Sequence, residues 1–127
     1  MSFPTSPLFL PCPDRSGSAY YEFQYCKTEG PIRKILKSYS CWLEDSLVVS
    51  IEDDDRFVES YGRYLEAPRA LLGKNAVDWY GVNYYTREQT KSILLRLRND
   101  HPEGAEALIL WLEKATAEFN GFFFLGI

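Results

Sequence analysis

The sequence predicts a single α+β domain, residues 1–127, in which a small mixed or antiparallel sheet is packed by three to four helices. Short β-forming runs alternate along the chain with segments whose apolar residues recur at helical spacing. The connections between these runs are too short and too varied for a doubly wound fold. The 127 residues, of which 46% are hydrophobic, are close to the usual size of one domain and suffice for one core.

The first half of the chain opens with a proline- and serine-rich arm, which is expected to be extended and packed by Phe3, Leu8, Phe9 and Leu10. Further along, Gly30 and Pro31 mark a turn, because proline suits the first position of a helix. The elements predicted in this half are the arm (1–18), a strand (20–26), a helix (32–39), a strand (47–51) and a helix (54–66).

The second half carries the clearest helix signal of the chain. Thr86 and Gln89 have the spacing of a capping box, in which each side chain bonds the backbone at the other residue. The pair His101-Pro102 is expected to end that helix. The final run FNGFFFLGI is nearly all apolar, which is typical of an interior strand covered on both faces. The elements predicted here are a strand (77–85), two helices (86–99 and 103–118) and a strand (119–127).

Composition excludes several classes of protein. The odd cysteine count (Cys12, Cys26 and Cys41) and the lack of a C-x-x-C pair argue against a disulfide framework or a structural zinc site. Prolines interrupt the apolar N-terminal stretch, and no basic segment precedes it, so no secretory signal is expected. No apolar run reaches the roughly 18 residues of a membrane span. A cytoplasmic protein without a cofactor is therefore expected. An acidic pI near 5.0 also disfavours direct nucleic-acid binding.

Negative charge is concentrated in one stretch. The segment 44–59 holds seven acidic residues and one base, a formal charge of −6, whereas the whole chain carries −4. Acids at a helix start offset the helix dipole, which is the plainest explanation. The negative charge exceeds the amount that a helix start requires, and this excess favours a surface that binds a basic protein partner. A magnesium site at residues 53–55 is the third interpretation, although no phosphate-binding loop stands nearby. The acids are Glu44, Asp45, Glu52, Asp53, Asp54, Asp55 and Glu59.

Aromatic residues crowd the strand predicted at 77–85. Because a strand has two faces, some of these side chains must leave the core, and Tyr80 and Tyr84 are the candidates to join the acids in binding a partner. Packing of these rings against the N-terminal arm is the rival interpretation. An exposed aromatic pair beside an acidic patch would suit a protein–protein interface.

Two further features have a plain and a functional interpretation. His101, the only histidine, could act as a general acid or base, but its place at a helix end favours a dipole contact. Arg87, Lys91 and Arg98 fall on one flank of the helix predicted at 86–99. That flank could contact the acids at 53–55 or an external anion, and the alternative is a solvated helix face.

The phrase WYGVNYYTREQT, a helix that ends in WLEKA and the final FNGFFFLGI together cover residues 79–127. In this layout the chain resembles small bacterial immunity proteins, which neutralise toxins of contact-dependent growth inhibition and related polymorphic systems. The resemblance implies a cytoplasmic, non-enzymatic protein that binds a cognate toxin, often a cationic nuclease. That family shares no catalytic motif, so no functional residue is carried over.

The function expected from the sequence is therefore that of an immunity protein whose acidic surface neutralises a basic toxin, with a monomer favoured. Two alternatives stay open. One is a small metal-dependent hydrolase that uses the cluster Asp53 to Asp55. The other is a non-catalytic subunit of a larger assembly, with the aromatic residues buried between chains.

Overall fold

A computed structural model describes residues 7–11, 19–40, 43–66, 68 and 76–126. Five strands form one sheet in the order β1-β3-β2-β5-β4, and all four neighbouring pairs are antiparallel. Helices accompany the sheet, so the predicted α+β class is confirmed and the sheet is antiparallel. The elements are β1 (Leu10–Pro11), β2 (Tyr20–Tyr25), α1 (Ile32–Leu36), β3 (Leu47–Ser50), α2 (Asp54–Tyr61), β4 (Val82–Tyr85), α3 (Arg87–Asp100), α4 (Ala105–Ala117) and β5 (Phe122–Leu125).

Strand β5 lies between β2 and β4 and is buried on both faces, as its unbroken apolar sequence predicts. Phe122 and Phe124 face the main core, whereas Phe123 and Leu125 face a smaller cluster on the other side of the sheet. Helices α2, α3 and α4 supply side chains to the main core, and α1 covers the smaller cluster with Ile35. The sheet is therefore the middle layer of three.

Aromatic rings fill the main core. Phe23 on β2 makes edge or tilted contacts with Phe57 of α2, Phe124 of β5 and Trp111 of α4. The Trp111 ring also stacks on Tyr25, with centroids 4.0 Å apart. Each fully buried ring of this kind contributes about 1.5–3 kcal/mol through removal from water, and favourable ring geometry adds to it. The high aromatic content of the sequence therefore largely serves the core.

The predicted elements are confirmed in type, and the boundaries of α1, α2, β4 and β5 differ from those predicted, β5 being confined to Phe122–Leu125. Helix α1 stops at Leu36, where Lys37 and Ser38 bond back to the last turn. Helix α2 starts at Asp54, as predicted, but gives way after Tyr61 to a 3₁₀ turn at Gly62–Tyr64. The capping box of α3 is present in full: Thr86 Oγ1 accepts from Gln89 N at 3.1 Å, and Gln89 Oε1 accepts from Thr86 N at 2.9 Å.

Strand β4 begins at Val82 and not at residue 77, because a turn precedes it. The side chain of Asn83 accepts a hydrogen bond from Asp78 N at 2.7 Å and donates one to Asp78 O at 2.8 Å. Gly81 N donates to the same Asp78 carbonyl at 3.3 Å. These local bonds occupy backbone groups that a strand would offer to its neighbour, so the chain turns at 78–81.

The described part of the arm packs as expected. Leu8 and Phe9 are buried, and β1 pairs with the outer edge of β3 through Leu10 opposite Val48. Phe3 and the segment 12–18 lie outside the described residues, as do Cys12 and Cys41. Cys26 is a free, buried thiol. Among the described helices, none is long and apolar enough to cross a bilayer.

Candidate interaction surface

The acidic stretch does not form one continuous surface. Glu44 and Asp45 precede β3, whereas the other five acids follow it. A strand of four residues separates the two groups by about 13 Å at roughly 3.3 Å per residue. The expectation of one continuous patch from Glu44 to Glu59 is thus corrected, because the short strand between the groups must be extended to pair in the sheet.

The group before β3 has a structural role. Asp45 Oδ2 lies 2.7 Å from Lys27 Nζ, so its charge is locally balanced. Trp111 Nε1 donates a hydrogen bond to the Asp45 carbonyl oxygen at 2.9 Å, which ties this turn to α4. Glu44 beside it is exposed. Glu44, unlike Asp45, makes no ion pair with any residue that the structure describes.

The five acids after β3 are here called the acidic ridge: Glu52, Asp53, Asp54, Asp55 and Glu59. Glu52, Asp55 and Glu59 are exposed, and Asp55 and Glu59 lie one helical turn apart on the same face of α2. The Ser50 hydroxyl accepts a hydrogen bond from Glu52 N at 3.2 Å and starts the 3₁₀ turn Ile51–Asp53 that leads into α2. The ridge therefore covers the first two turns of one continuous helical segment.

The three adjacent aspartates of the ridge differ in their surroundings. Asp55 is exposed, as expected, but Asp53 and Asp54 are only half-exposed. Asp53 Oδ1 lies 3.7 Å from Arg56 Nη1. Asp54 Oδ1 accepts a short hydrogen bond from the Tyr21 hydroxyl of β2. Burial and this bond to the carboxylate both raise the pKa of Tyr21, so the phenol stays protonated and holds the start of α2 against the sheet.

Tyr80 is the most exposed large hydrophobic side chain of the described residues, with 85% of its surface accessible. It lies in the turn at 78–81, where its backbone N–H donates to Asp78 Oδ1 at 3.0 Å. The neighbouring Trp79 ring packs edge-on to Tyr21 and Phe57, with centroids 6.0 and 6.3 Å away. Trp79 thereby anchors the turn beside α2 and places Tyr80 next to the acidic ridge.

The turn also adds an acid that sequence reasoning missed. Asp78 is exposed and sits beside Tyr80, so it extends the negative surface toward β4. The available signal was the spacing Asp-x-x-Gly within residues 78–81, which is common in tight turns. Two apolar side chains, Ile51 and Val58, are also partly exposed on the ridge, at 38% and 36%.

Tyr84 is not on this surface, contrary to the exposed position proposed for it beside Tyr80. The side chain is buried in the smaller cluster, with its ring centroid 5.4 Å from that of Phe123. Its hydroxyl donates to Asn120 O at 2.8 Å, and burial raises the pKa of the phenol. The reason is the start of β4 at Val82: Tyr80 falls in the turn, and Tyr84 and Tyr85 then alternate between the two packed faces of the strand.

His101 and the basic flank of α3, the other candidate sites, interact with acidic residues close to them. His101 Nε2 lies 3.7 Å from Glu106 Oε1 across the loop between α3 and α4. Within the described ranges, no three His, Cys, Asp or Glu side chains lie close enough to hold a metal ion.

The basic flank of α3 does not contact the acidic ridge. Its three members pair with acids elsewhere: Arg87 with Glu29, Lys91 with Glu88, and Arg98 with Glu113.

The acidic ridge and the turn at 78–81 together form one exposed polar surface. Its exposed elements are negative carboxylates around a projecting tyrosine, which suit contact with a positively charged macromolecule. Comparisons of the chain with protein-family models, with curated proteins and with solved structures give no match, so the likeness to immunity proteins stays a prediction.

Proposed function

We propose that this chain is an immunity-type inhibitor, a cytoplasmic, monomeric protein that binds and neutralises a basic protein toxin. The observation that carries the proposal is the acidic ridge with Tyr80 beside it. The five carboxylates of the ridge lie in the segment 52–59, in which Arg56 is the one base, and Asp78 adds a further exposed carboxylate beside Tyr80. The negative charge is large for so small a surface. It exceeds the charge that would offset the helix dipole at the start of α2.

The surface combines steering with anchoring. Long-range attraction between the ridge and a basic partner raises the association rate and disfavours acidic partners. Tyr80 supplies a large, amphipathic contact, and tyrosine is one of the residue types that dominate binding energy at interfaces. Ile51 and Val58 add apolar area between the carboxylates. The arrangement resembles the usual order of an interface, with apolar contacts surrounded by polar groups.

The toxin class that fits best is a nuclease. Its substrate-binding surface must be rich in lysine and arginine to hold phosphates. A negative ridge that docks there mimics the phosphate backbone in charge and excludes the nucleic acid. Inhibition would then require no chemistry by the inhibitor itself.

The direct test is co-expression of the chain with the product of the neighbouring gene, followed by co-purification. A stable complex that abolishes toxicity supports the proposal. A neighbour that is not toxic, or two proteins that never associate at low salt, would overturn it. Binding that weakens as salt rises is also expected, because exposed charges are screened over about 10 Å at 0.1 M salt.

Charge reversal locates the binding surface. The double variant Asp55→Lys/Glu59→Lys is expected to reduce the association rate at least tenfold at low salt, measured by surface plasmon resonance, because both carboxylates are exposed. Glu88→Lys/Glu106→Lys is the matched control, since it changes the net charge equally on α3 and α4. Equal losses in both variants would mean that net charge, not the ridge, determines binding.

A further inference from the structure

A polar pocket of about 450 Å³ opens at the opposite end of the strands from the acidic ridge. It lies beside Cys26, the residue that follows β2, whereas the ridge adjoins Tyr20 at the start of that strand through the pairing of Tyr20 with Ser50. Four segments meet there: the chain after β2, α1, the first turn of α3 and the loop between α4 and β5. The lining residues are Cys26, Lys27, Glu29, Lys34, Arg87, Glu118, Phe119 and Asn120.

Backbone hydrogen bonds fix the walls of this pocket. Cys26 N donates to Gly121 O at 3.1 Å, and Asn120 N donates to Cys26 O at 2.9 Å. The Asn120 side chain donates through Nδ2 to Thr28 O at 3.1 Å. The loop before β5 and the chain after β2 are therefore joined as one rigid rim, which is the kind of support that a binding site needs.

Arg87 is held in position at the pocket but is not saturated. Its Nε donates to Phe119 O at 2.9 Å, which fixes the plane of the guanidinium. The Nη2 atom lies 3.8 Å from Glu29 Oε1, beyond hydrogen-bond distance. The terminal edge of the guanidinium thus has donors available in a fork geometry that matches the oxygens of a carboxylate or a phosphate.

Lys34 provides a second positive charge on the facing helix, α1. A Cβ added at Gly30 would lie 3.4 Å from Lys34 Cδ, so the lysine stem extends over this glycine toward the pocket. Lys34 makes no ion pair with any residue that the structure describes. Lys27, the third basic group, is already paired with Asp45 at 2.7 Å.

We propose that this pocket binds a small multivalent oxyanion, with Arg87 and Lys34 as the groups that hold it. Three basic and two acidic side chains line the pocket, and because Asp45 balances Lys27, Arg87 and Lys34 are the cations available to a ligand there. Glu29 is mostly exposed and only loosely paired with Arg87, and it acts as the competing anion that a ligand displaces. Phosphate esters and polycarboxylates share the required chemistry.

The test is a titration of the full chain at constant ionic strength. The backbone amide and Arg87 Nε resonances in NMR spectra monitor the binding. Sodium pyrophosphate and sodium citrate are the two probes. Saturable shifts at Arg87, Lys34 and Asn120 are expected with at least one of them, and the probe that saturates at lower concentration identifies a phosphate or a carboxylate ligand. Spectra that change with neither probe up to millimolar concentrations would overturn the proposal.

Variants separate this site from general charge effects. Lys34→Gln and Arg87→Gln are each expected to weaken binding about tenfold, because each removes a charge-assisted hydrogen bond. Glu29→Gln is expected to strengthen binding severalfold, since it removes the competing carboxylate. Arg98→Gln, which lies outside the pocket, should leave affinity unchanged. If Arg98→Gln weakens binding as much as Lys34→Gln does, the pocket is not the site.

Two precautions keep the result interpretable. Arg87 also supports the loop before β5, so circular dichroism must show that Arg87→Gln is folded; if it is not, Lys34→Gln and Glu29→Gln decide the outcome. The ridge variant Asp55→Lys/Glu59→Lys should bind the oxyanion at least as well as the unaltered chain. Failure of the toxin-binding proposal therefore leaves this one intact, and the reverse also holds.

Discussion

His101 is the only described non-glycine residue with a left-handed backbone, at φ 43° and ψ 62°. It caps the C-terminal end of α3, a position where glycine avoids the steric cost of a side chain. His101→Gly is expected to stabilise the protein by about 0.5–1 kcal/mol, because relief of that cost of about 1–2 kcal/mol exceeds the added freedom of glycine in the unfolded chain. The free energy of unfolding in urea measures it.

The contact with Glu106 does not offset this gain, since both side chains are more than half exposed and such pairs contribute little. His101→Ala is the control, because it removes the imidazole but keeps the Cβ that causes the strain. It should give no stabilisation. A lower urea midpoint for His101→Gly than for His101→Ala would contradict the assignment of strain to the backbone.

Neighbouring residues of the ridge show that charge alone does not define a role. Asp54 accepts the Tyr21 hydrogen bond and joins α2 to β2, whereas Asp55, the next residue, points its charge to solvent. A sequence of three aspartates gives no means of separating them. The distinction depends on which of them meets a tyrosine of a strand 33 positions away in the chain.

At the level of elements, Gly121 fixes how β5 enters the sheet. A Cβ there would lie 2.0 Å from Tyr85 O and 2.8 Å from the carbonyl carbon of Thr86, and φ is +82°. Gly121→Ala is therefore expected to destabilise the protein by at least about 3 kcal/mol, through both strain and overlap with the β4–α3 junction. Thermal and urea unfolding measure the loss.

Gly104 supplies the matched control. It has a similar φ of +77°, but no atom lies within 4 Å of an added Cβ. Gly104→Ala should cost only about 1 kcal/mol, which is the backbone strain by itself. If the two variants lose the same stability, the close approach at Gly121 has no energetic importance.

Elements with a local signal could be predicted from the sequence. The capping box at Thr86 and Gln89 placed the start of α3 correctly, and the run of apolar residues identified β5. The start of β4 could not be placed, because Asp78 and Asn83 form side-chain bonds that compete with the sheet and that composition does not reveal. Because the strand was predicted to start too early, Tyr84 was wrongly expected at the surface. A shift in the start of a strand changes which face each side chain occupies.

The candidate surface was only partly predictable for the same reason. Charge density in the sequence indicated the ridge, but proximity along the chain is not proximity in space. Strand β3 separates Glu44 and Asp45 from the rest, and the turn at 78–81 brings Asp78 and Tyr80 to it from a distant part of the sequence. The pocket at Arg87 has no contiguous signal at all, because its lining comes from four segments.

At the scale of the whole molecule, the tyrosine-rich core predicts unfolding in alkali. Burial raises the pKa of six tyrosines above the ordinary value of about 10, and in the unfolded chain they ionise near that value. A raised folded-state pKa means that their contribution to stability is complete below about pH 10 and is lost as the pH rises further. The six are Tyr21, Tyr25, Tyr61, Tyr64, Tyr84 and Tyr85.

Circular dichroism and tyrosinate absorbance, followed together from pH 8 to 12.5, measure this effect. The increase in absorbance from the buried rings is expected to coincide with the loss of helical signal. Tyr85→Phe removes one of the six groups and the hydrogen bond to Leu65 O, so it should make the alkaline transition less steep. Full ionisation of the tyrosines in a chain that keeps its circular dichroism would contradict the prediction.

The position of β5 has a consequence for the chain during its synthesis. Strand β2 pairs with it across about a hundred residues, and β4 has no other strand partner among the described elements. A ribosome delivers β5 after the other four strands, so the central hydrogen bonds of the sheet form only when nearly all described elements have emerged. Until then the edges of β2 and β4 that pair with β5 lack their partner, and unpaired strand edges favour association between chains.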